Sequence, residues 1–309
     1  MATLASRAMT PDFASIAVIP DGSGGAIGPF VSAAHFRMRQ PTFPPHPHAG
    51  FSAVTYVLEQ SKESILNRDS EGRVGVIGAG ALHWTAANCG IMHEETPLHA
   101  GGMVDGLQVF INQPASLKGE RPTVFHADPG EFAVSEPSAG VRVKLIAGDF
   151  AGHSASAPAA SPLVWLQLDL SPDATFEWAR PEGFEAFAYV EQGAARPNGK
   201  VVKSPGGLRL DEAASLSVEA NDQAVRLFLF AGLPLDEPIV MRGPMIMASE
   251  ADIDAAYRRF QSGEMGRLAP RVYDRVADAA FEPALATAVP TTGAPMKPHE
   301  VSRAGGVES

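Results

Sequence analysis

The segment FPPHPHAGFSAVTYVLEQ, residues 43–60, combines two histidines with the start of an apolar, β-branched run. His46 and His48 flank a proline, and the residues after Gly50 are typical of a β-strand. Side chains at positions i and i+2 of an extended segment point to the same face. The two imidazoles are therefore predicted to point together, although an isolated pair of this kind is more often part of a surface turn.

Short apolar segments separated by glycine, proline and asparagine recur along most of the chain. Thirty glycines and 26 prolines among 309 residues supply the turns between these segments. Many short strands at such spacing favour an all-β chain built from sandwiches or barrels. The apolar segments are SAVTYVLE, GLQVFINQ, VRVKLIAG, LVWLQLDL, FEAFAYVEQG and AVRLFLFAG.

A change in composition divides the chain, because GHSASAPAASP is uncharged and rich in small residues and proline. Near the C-terminus, Ser249 can cap a helix in which apolar residues recur at helical spacing. The last residues lack the apolar content of a folded segment. The predicted divisions are an N-terminal β domain at 1–150, a linker at 151–162, a second β domain at 163–248, a helix at 249–265 and a disordered tail at 283–309.

Two pairs of segments suggest that the second β domain is a copy of the first. Chance similarity between short strand-and-turn segments is the alternative interpretation. In a true copy the positions of the two histidines fall on Ala179 and Pro181, so the second domain would lack them. The matched segments are YVLEQ at 56–60 with YVEQG at 189–193, and GALHWTAANCG at 80–90 with AASLSVEANDQ at 213–223.

The histidines are concentrated in the first domain, where six of the nine lie between residues 35 and 99. The segment CGIMHEETP, residues 89–97, contains a second alternating pair. On a strand, His93 and Glu95 share one face while Glu94 points away. Two such pairs on adjacent strands would place three imidazoles and one carboxylate around one interior point.

This donor set suits a divalent transition metal. Iron, manganese, cobalt, nickel, copper and zinc all accept imidazole and carboxylate ligands, and the order of affinities alone favours copper. Four protein ligands leave one or two positions open on a five- or six-coordinate ion, as a reaction requires. The predicted ligands are His46, His48, His93 and Glu95.

Three residues near this set have alternative interpretations. Cys89 is either a soft ligand or a small buried residue, and we count it in the outer shell around the metal. His83 is either a core histidine or a partner that orients a metal ligand, and Trp84 beside it belongs to the same outer shell.

Composition and charge exclude several classes of function. The net charge is −11 and no run of lysine or arginine occurs, so direct binding to nucleic acid is not expected. A single cysteine fits a reducing compartment. No stretch of 18 apolar residues and no N-terminal segment of signal-peptide type are present, so we expect a cytoplasmic protein without a membrane span.

Taken in order, the motifs resemble those of the pirin family, a branch of the cupin superfamily, from about residue 20 to 265. The resemblance implies two cupin barrels, or double-stranded β-helices, that lie face to face with metal only in the N-terminal one. It assigns the metal to His46, His48, His93 and Glu95. The motifs are HPHAGFSAVTYVLE, NRDSEGRVGVIGAGALHWTAANCGIMHEETP, GLQVFINQP and GPMIMASEADIDAAYRRFQSG.

The resemblance implies two functions. The first is an Fe(II)-dependent dioxygenase similar to quercetin 2,3-dioxygenase, with a small aromatic or polyphenolic substrate and O₂. In it Glu95 would be the catalytic base that takes the substrate's hydroxyl proton. The alternative is a metal-dependent regulator that binds a transcription factor or a metabolic enzyme, and a third possibility is a vestigial metal site. A deep pocket favours the enzyme, whereas a shallow site with a flat, charged exterior favours the regulator.

Overall fold

The computed structural model describes residues 6–19, 25–210 and 215–271, and the predicted tail at 283–309 lies outside them. Strands make up most of the described chain, which confirms the all-β prediction. The strands of the N-terminal half are β1 (Ser6–Met9), β2 (Phe13–Ile19), β3 (Phe30–Met38), β4 (His46–His48), β5 (Phe51–Val57), β6 (Ile65–Asp69), β7 (Val74–Ile77), β8 (Leu82–Ala86), β9 (Ile91–Pro97), β10 (Val104–Asn112) and β11 (Thr123–Ala127).

The C-terminal half continues with further strands and ends in a helix. Its elements are β12 (Ala133–Ser138), β13 (Val141–Phe150), β14 (His153–Ser154), β15 (Leu163–Leu170), β16 (Thr175–Ala179), β17 (Glu185–Gln192), β18 (Ala194–Pro197), β19 (Val202–Lys203), β20 (Gly206–Arg209), β21 (Ser215–Ala220), β22 (Val225–Gly232), β23 (Val240–Arg242), β24 (Met245–Met247) and the helix α1 (Glu250–Ser262). Short 3₁₀ turns lie at Ala115–Leu117 and Pro129–Glu131.

The two halves share one strand order. The N-terminal barrel consists of a seven-stranded sheet, β1-β2-β3-β10-β5-β8-β11, and a four-stranded sheet, β4-β9-β6-β7. The C-terminal barrel consists of the sheet β12-β13-β15-β22-β17-β20 and the four-stranded sheet β16-β21-β18-β19. The run β3-β10-β5-β8 thus corresponds to β15-β22-β17-β20, and each smaller sheet repeats the other. The strand order supports the internal duplication.

The duplication corrects one of the two sequence matches. YVLEQ and YVEQG end β5 and β17, which are equivalent strands. The second match was wrong, because it set β8 against β21, whereas the equivalents of β8 and β9 are β20 and β21. The strand β20 is GGLR, which is too short and too rich in glycine to show the apolar alternation that an alignment needs.

Strand pairing also places the change of sheet earlier than composition suggested. The strands β12 and β13 lie within the predicted first domain, 1–150, but β13 pairs with β15 in the second barrel. The change from the first large sheet to the second therefore falls between Ala127 and Ala133. The division of the chain into separate folding domains stays a prediction.

The largest buried cluster lies where the two large sheets face each other. Tyr56 of the first sheet packs against Trp165 of the second, with ring centroids 6.1 Å apart. The hydroxyl of Tyr56 donates to the side-chain oxygen of Gln167 at 3.0 Å, so a buried polar group is satisfied across the interface. Burial of each large side chain contributes about 1.5–3 kcal/mol. This core confirms the predicted face-to-face arrangement of the barrels.

The helix α1 packs against the N-terminal barrel. Ser249 caps it by accepting the backbone N–H of Asp252 at 3.2 Å, and Gly263 ends it with a left-handed φ of 83°. Ile253 and Ala256 are buried in a methionine-rich cluster behind β4 and β9. No helix within residues 6–19, 25–210 and 215–271 has the length and hydropathy of a membrane span.

Candidate metal centre

The predicted histidine pairs meet on adjacent strands. The strand β4 is the HPH segment itself, and it pairs antiparallel with β9 so that His46 lies opposite His93. The three imidazole rings of His46, His48 and His93 have centroids 4.7–4.8 Å apart. One nitrogen from each ring lies within 4.8 Å of the other two, so the three can surround a single ion.

Hydrogen bonds to backbone carbonyls set the orientation of two rings. Nδ1 of His46 lies 3.0 Å from the carbonyl oxygen of Pro44, and Nδ1 of His48 lies 3.4 Å from that of Pro244. Because a carbonyl oxygen only accepts, each Nδ1 carries the proton and each Nε2 presents a lone pair. The two Nε2 atoms are 3.1 Å apart.

Two lone pairs at that distance repel each other unless a cation lies between them, so the donor geometry fits a metal ion. Burial keeps the rings neutral, as metal ligands must be. Burial and the neighbouring His46 lower the pKa of His48 to about 3. Burial likewise holds the pKa of His93 well below its usual value, and Nδ1 of this ring has no hydrogen-bond partner among the described residues.

Glu95 lies beside the histidines without joining their cluster. It lines the same cavity as His93, while Glu94 between them forms a buried ion pair with Arg68, as the alternation of a strand predicts. The Glu95 carboxylate accepts the hydroxyl of Thr55 at 2.7 Å and is not among the three grouped ligands. Its role as a fourth ligand stays a prediction.

The carboxyl group of Glu95 is partly accessible from the cavity but is closely surrounded by protein. This burial raises the pKa of Glu95 to about 7, and the hydrogen bond from Thr55 opposes the shift. A carboxyl group with this pKa can both release and accept a proton near neutral pH.

The site opens into a cavity of about 540 Å³ inside the N-terminal barrel. Four phenylalanines contribute to its wall, and two of them, Phe13 and Phe43, meet edge to face with centroids 5.3 Å apart. The residues that line it are Phe13, Ser15, Ala17, Ser32, Ala34, Phe36, Met38, Phe43, His46, His48, Ile65, His93, Glu95, Gln108, Phe110, Gly243 and Pro244.

The C-terminal part of the chain contributes to this wall. The strand β24 bridges to Ala49, the residue after His48, and places the carbonyl of Pro244 against the His48 ring. Gly50 has φ of 82°, and a Cβ atom there would lie 1.9 Å from the carbonyl oxygen of Ile246. Glycine is therefore required for the close approach of β24 to the histidine segment.

Comparisons with known proteins agree with this architecture. The model of the pirin domain matches residues 25–111, and that of the pirin C-terminal cupin domain matches residues 165–266. Pirin-1 of Arabidopsis thaliana is 33% identical over 252 residues, which cover 78% of this chain and 84% of that protein. The chain belongs to the pirin family.

Other relatives of this pirin carry names that refer to an activity or a metal. A Pseudomonas aeruginosa protein named "Putative quercetin 2,3-dioxygenase" is 30% identical over 260 residues, 80% of this chain and 90% of its own. A crystal structure of quercetin 2,3-dioxygenase from Acinetobacter baumannii superposes with a TM-score of 0.76 at 24% identity, covering 85% of this chain and 96% of the other. The Escherichia coli pirin YhhW in complex with nickel(II) gives 0.62 at 18% identity, covering 75% and 96%. The two structural likenesses show the fold.

The three residues predicted for an outer shell lie in different places in this pirin. His83 is buried on β8, opposite Thr55 of β5, and burial lowers its pKa to about 3. Trp84, the next residue, points the other way into the core between the barrels. Cys89 lines a separate cavity beside α1, together with Lys118.

The sequence reasoning missed Thr55, Gln108 and Pro244. Thr55 and Gln108 pair across β5 and β10. Gln108 lines the cavity, and the buried hydroxyl of Thr55 bonds to the side chains of Gln108 and Glu95, which both line it. Thr55 is a polar residue inside the apolar segment SAVTYVLE, and this was the sequence signal that could have indicated a functional role for it. Pro244 carried no signal, because its contact with His48 joins residues 196 positions apart.

Proposed function

We propose that this pirin is a metal-dependent dioxygenase that resembles quercetin 2,3-dioxygenase and acts on a flat polyphenol. The observation that carries the proposal is the three-histidine cluster in the wall of a largely apolar cavity of about 540 Å³. Cavities of roughly 300–1,000 Å³ are typical of sites for small organic molecules. A cavity of this volume with the histidines in its wall favours an enzyme over a regulator with a flat, charged site.

His46, His48 and His93 would hold the ion, which we propose to be Fe(II), with Glu95 as a fourth ligand. When bound, such an ion supplies a Lewis-acidic centre for a substrate hydroxyl and O₂. The carbonyls of Pro44 and Pro244 keep the Nε2 lone pairs of two histidines directed at the site. We assign the protein to the cytoplasm, whose reducing conditions favour the ferrous state.

Glu95 is the proposed base. When it is not bound to the ion, its carboxylate has a pKa raised to about 7 by burial and would accept the hydroxyl proton of a polyphenol more readily than a carboxylate in water. The hydroxyl of Thr55 holds the carboxylate at the cavity wall through a 2.7 Å hydrogen bond.

The aromatic wall is suited to a flat, apolar ring system. Phe36 and Phe110 line the cavity beside the histidines, and the Phe13–Phe43 pair stands at its rim. Rings prefer edge-to-face or offset contacts with other rings, and such pairs contribute about 0.5–1.5 kcal/mol each beyond buried area. A polyphenol in this cavity would be oriented by these contacts while water is displaced.

The test measures metal content and flavonol-dependent oxygen uptake together, for the wild-type protein and Glu95→Gln. Removal of a positioned base commonly lowers the rate by about 10²–10⁴-fold. We expect Glu95→Gln to keep its metal and lose turnover by that factor. Turnover within a few-fold of wild type, with metal intact, would remove Glu95 from the base role. An iron-loaded wild type that consumes no oxygen with flavonols would favour the regulatory alternative, in which the metal state controls binding of a protein partner.

A further inference from the structure

The hydroxyl of Thr55 lies between two acceptors. Its Oγ1 atom is 2.7 Å from Oε2 of Glu95 and 3.1 Å from Oε1 of Gln108. The amide nitrogen of Gln108 donates to the carbonyl oxygen of Val54 at 3.2 Å, which turns the amide oxygen toward Thr55. Because a threonine hydroxyl has one proton, it can donate to only one of these two oxygens at a time.

The two choices have different consequences for the histidine cluster. Donation to Glu95 holds the carboxylate against β5, apart from the three grouped nitrogens. Donation to Gln108 leaves the carboxylate without that hydrogen bond and free to rotate within the cavity that it shares with His93. Each arrangement leaves one oxygen in the cavity wall without a donor, so neither is satisfied completely.

We infer that Thr55 and Gln108 together decide whether Glu95 binds the metal or stays apart from it as a free base. The inference rests on the proposed metal site, and it makes Thr55 and Gln108 positioning residues. The same carboxylate then fills a coordination position in one state and leaves that position open to substrate in the other. Competition between two acceptors for one proton is what allows both states to exist.

The experiment uses the full chain loaded with Co(II), whose visible absorption weakens as the number of ligands rises from four to five or six. Thr55→Val keeps the shape of a buried strand residue and removes the hydroxyl. We expect Glu95 to move to the metal, so that the band weakens and cobalt binds roughly tenfold more tightly. Substitutions of residues that contact metal ligands commonly change metal affinity by about this factor.

Gln108→Met gives the opposite expectation. It removes the competing acceptor at similar side-chain length, so the hydroxyl stays with Glu95 and the carboxylate stays off the metal. The band should then strengthen and cobalt affinity should fall. The two substitutions are thus expected to change cobalt affinity in opposite directions. A general destabilisation of the barrel would instead weaken cobalt binding in both variants.

Two controls complete the design. Thr85→Val makes the same exchange at a buried threonine of β8, opposite Ala53, and should leave the spectrum unchanged. Adding Glu95→Gln to Thr55→Val should abolish the band change, because a neutral amide replaces the carboxylate. Equal spectra for Thr55→Val, Gln108→Met and wild type, or shifts of the same sign, would overturn the inference.

The outcomes also separate this inference from the dioxygenase proposal. Opposite spectral shifts without flavonol-dependent oxygen uptake in the iron-loaded protein would support the positioning role and reject the dioxygenase. A wild type that takes up no cobalt would overturn the inference together with the metal site.

Discussion

The two barrels have the same strand order but different interiors. On equivalent strands, Thr55 faces Gln108 in the N-terminal barrel, whereas Ala188 faces Leu229 in the C-terminal barrel. The first pair forms hydrogen bonds beside the cavity, and the second belongs to a continuous apolar cluster. A shared fold thus carries chemistry in one copy and packing in the other, because function depends on the residues placed in the interior.

The histidine strands show the same contrast. The strand β4 faces β9 with His46 opposite His93, whereas the equivalent strands β16 and β21 pair Phe176 with Val218, both buried. Within the described residues of the C-terminal barrel, no three metal-binding side chains come together. The second barrel is therefore predicted to stabilise the first without binding a metal itself.

The largest expected effect is loss of the metal on removal of one histidine. His93→Ala should lower bound metal to a small fraction of the wild-type content, because it leaves two of the three clustered imidazoles. Metal analysis of the purified protein measures this. Glu94→Gln, one residue away but directed at Arg68, should keep its metal. Equal losses in both variants would contradict the predicted division between the two faces of β9.

The second expected effect is on stability without any effect on metal. Leu229→Ala should lower the free energy of unfolding by about 2–5 kcal/mol, since Leu229 is fully buried in the apolar interior of the second barrel. Denaturant unfolding measures it, with Leu233→Ala, an exposed leucine, as the matched control. A proportional fall in metal content under native conditions would show that the second barrel does more than support the first.

A smaller expected effect is the loss of stability as the pH falls. Burial lowers the folded-state pKa of His83 from 6.5 to about 3, so the stability it contributes is present above pH 6.5 and is lost between pH 6.5 and 3. Between pH 7 and 5 this loss amounts to roughly 2 kcal/mol for one buried imidazole. His83→Gln should flatten the pH dependence of urea unfolding by that amount, and an unchanged slope would contradict the assignment.

The smallest effect concerns the rim of the cavity. Phe43 packs on Phe13, lies 6.3 Å from the ring of His46 between centroids, and is about half exposed, so Phe43→Ala removes two ring contacts and little of the core. We expect flavonol binding to weaken by about 0.5–1.5 kcal/mol, a few-fold in affinity. Fluorescence titration measures it, and the metal content should stay at the wild-type level. A loss of metal would place Phe43 in the support of His46 rather than at the substrate.

The local parts of the site could be predicted because they depend on alternation along a strand. His46, His48, His93 and Glu95 all line one cavity, as their spacing indicates. The hydrogen bond that keeps Glu95 apart from the histidines could not be predicted, because it joins β9 to a threonine 40 residues away on a strand of the other sheet of the barrel.

The sheet that each strand joins also could not be predicted from the local sequence pattern. The apolar segment VRVKLIAG, residues 141–148, predicts a strand, which the structure has at Val141–Phe150, but the segment does not say which barrel the strand joins. The small, proline-containing segment after it suggested a linker, yet β14 within this segment pairs back onto β13. Local composition indicates where the chain turns, whereas the pairing of strands depends on packing between segments that are distant in sequence.

The contact between Pro244 and His48 bears on the order of events during synthesis. A ribosome that has released residues up to 150 has delivered all three histidines, but the carbonyl that orients His48 is almost a hundred residues from being made. Lys118 also lacks its partner at that stage, since its ammonium group donates to the carbonyl oxygen of Ile246. The N-terminal barrel therefore cannot complete these contacts until residues 244–246 have been synthesised. The mature arrangement of its histidines forms after translation of the second barrel.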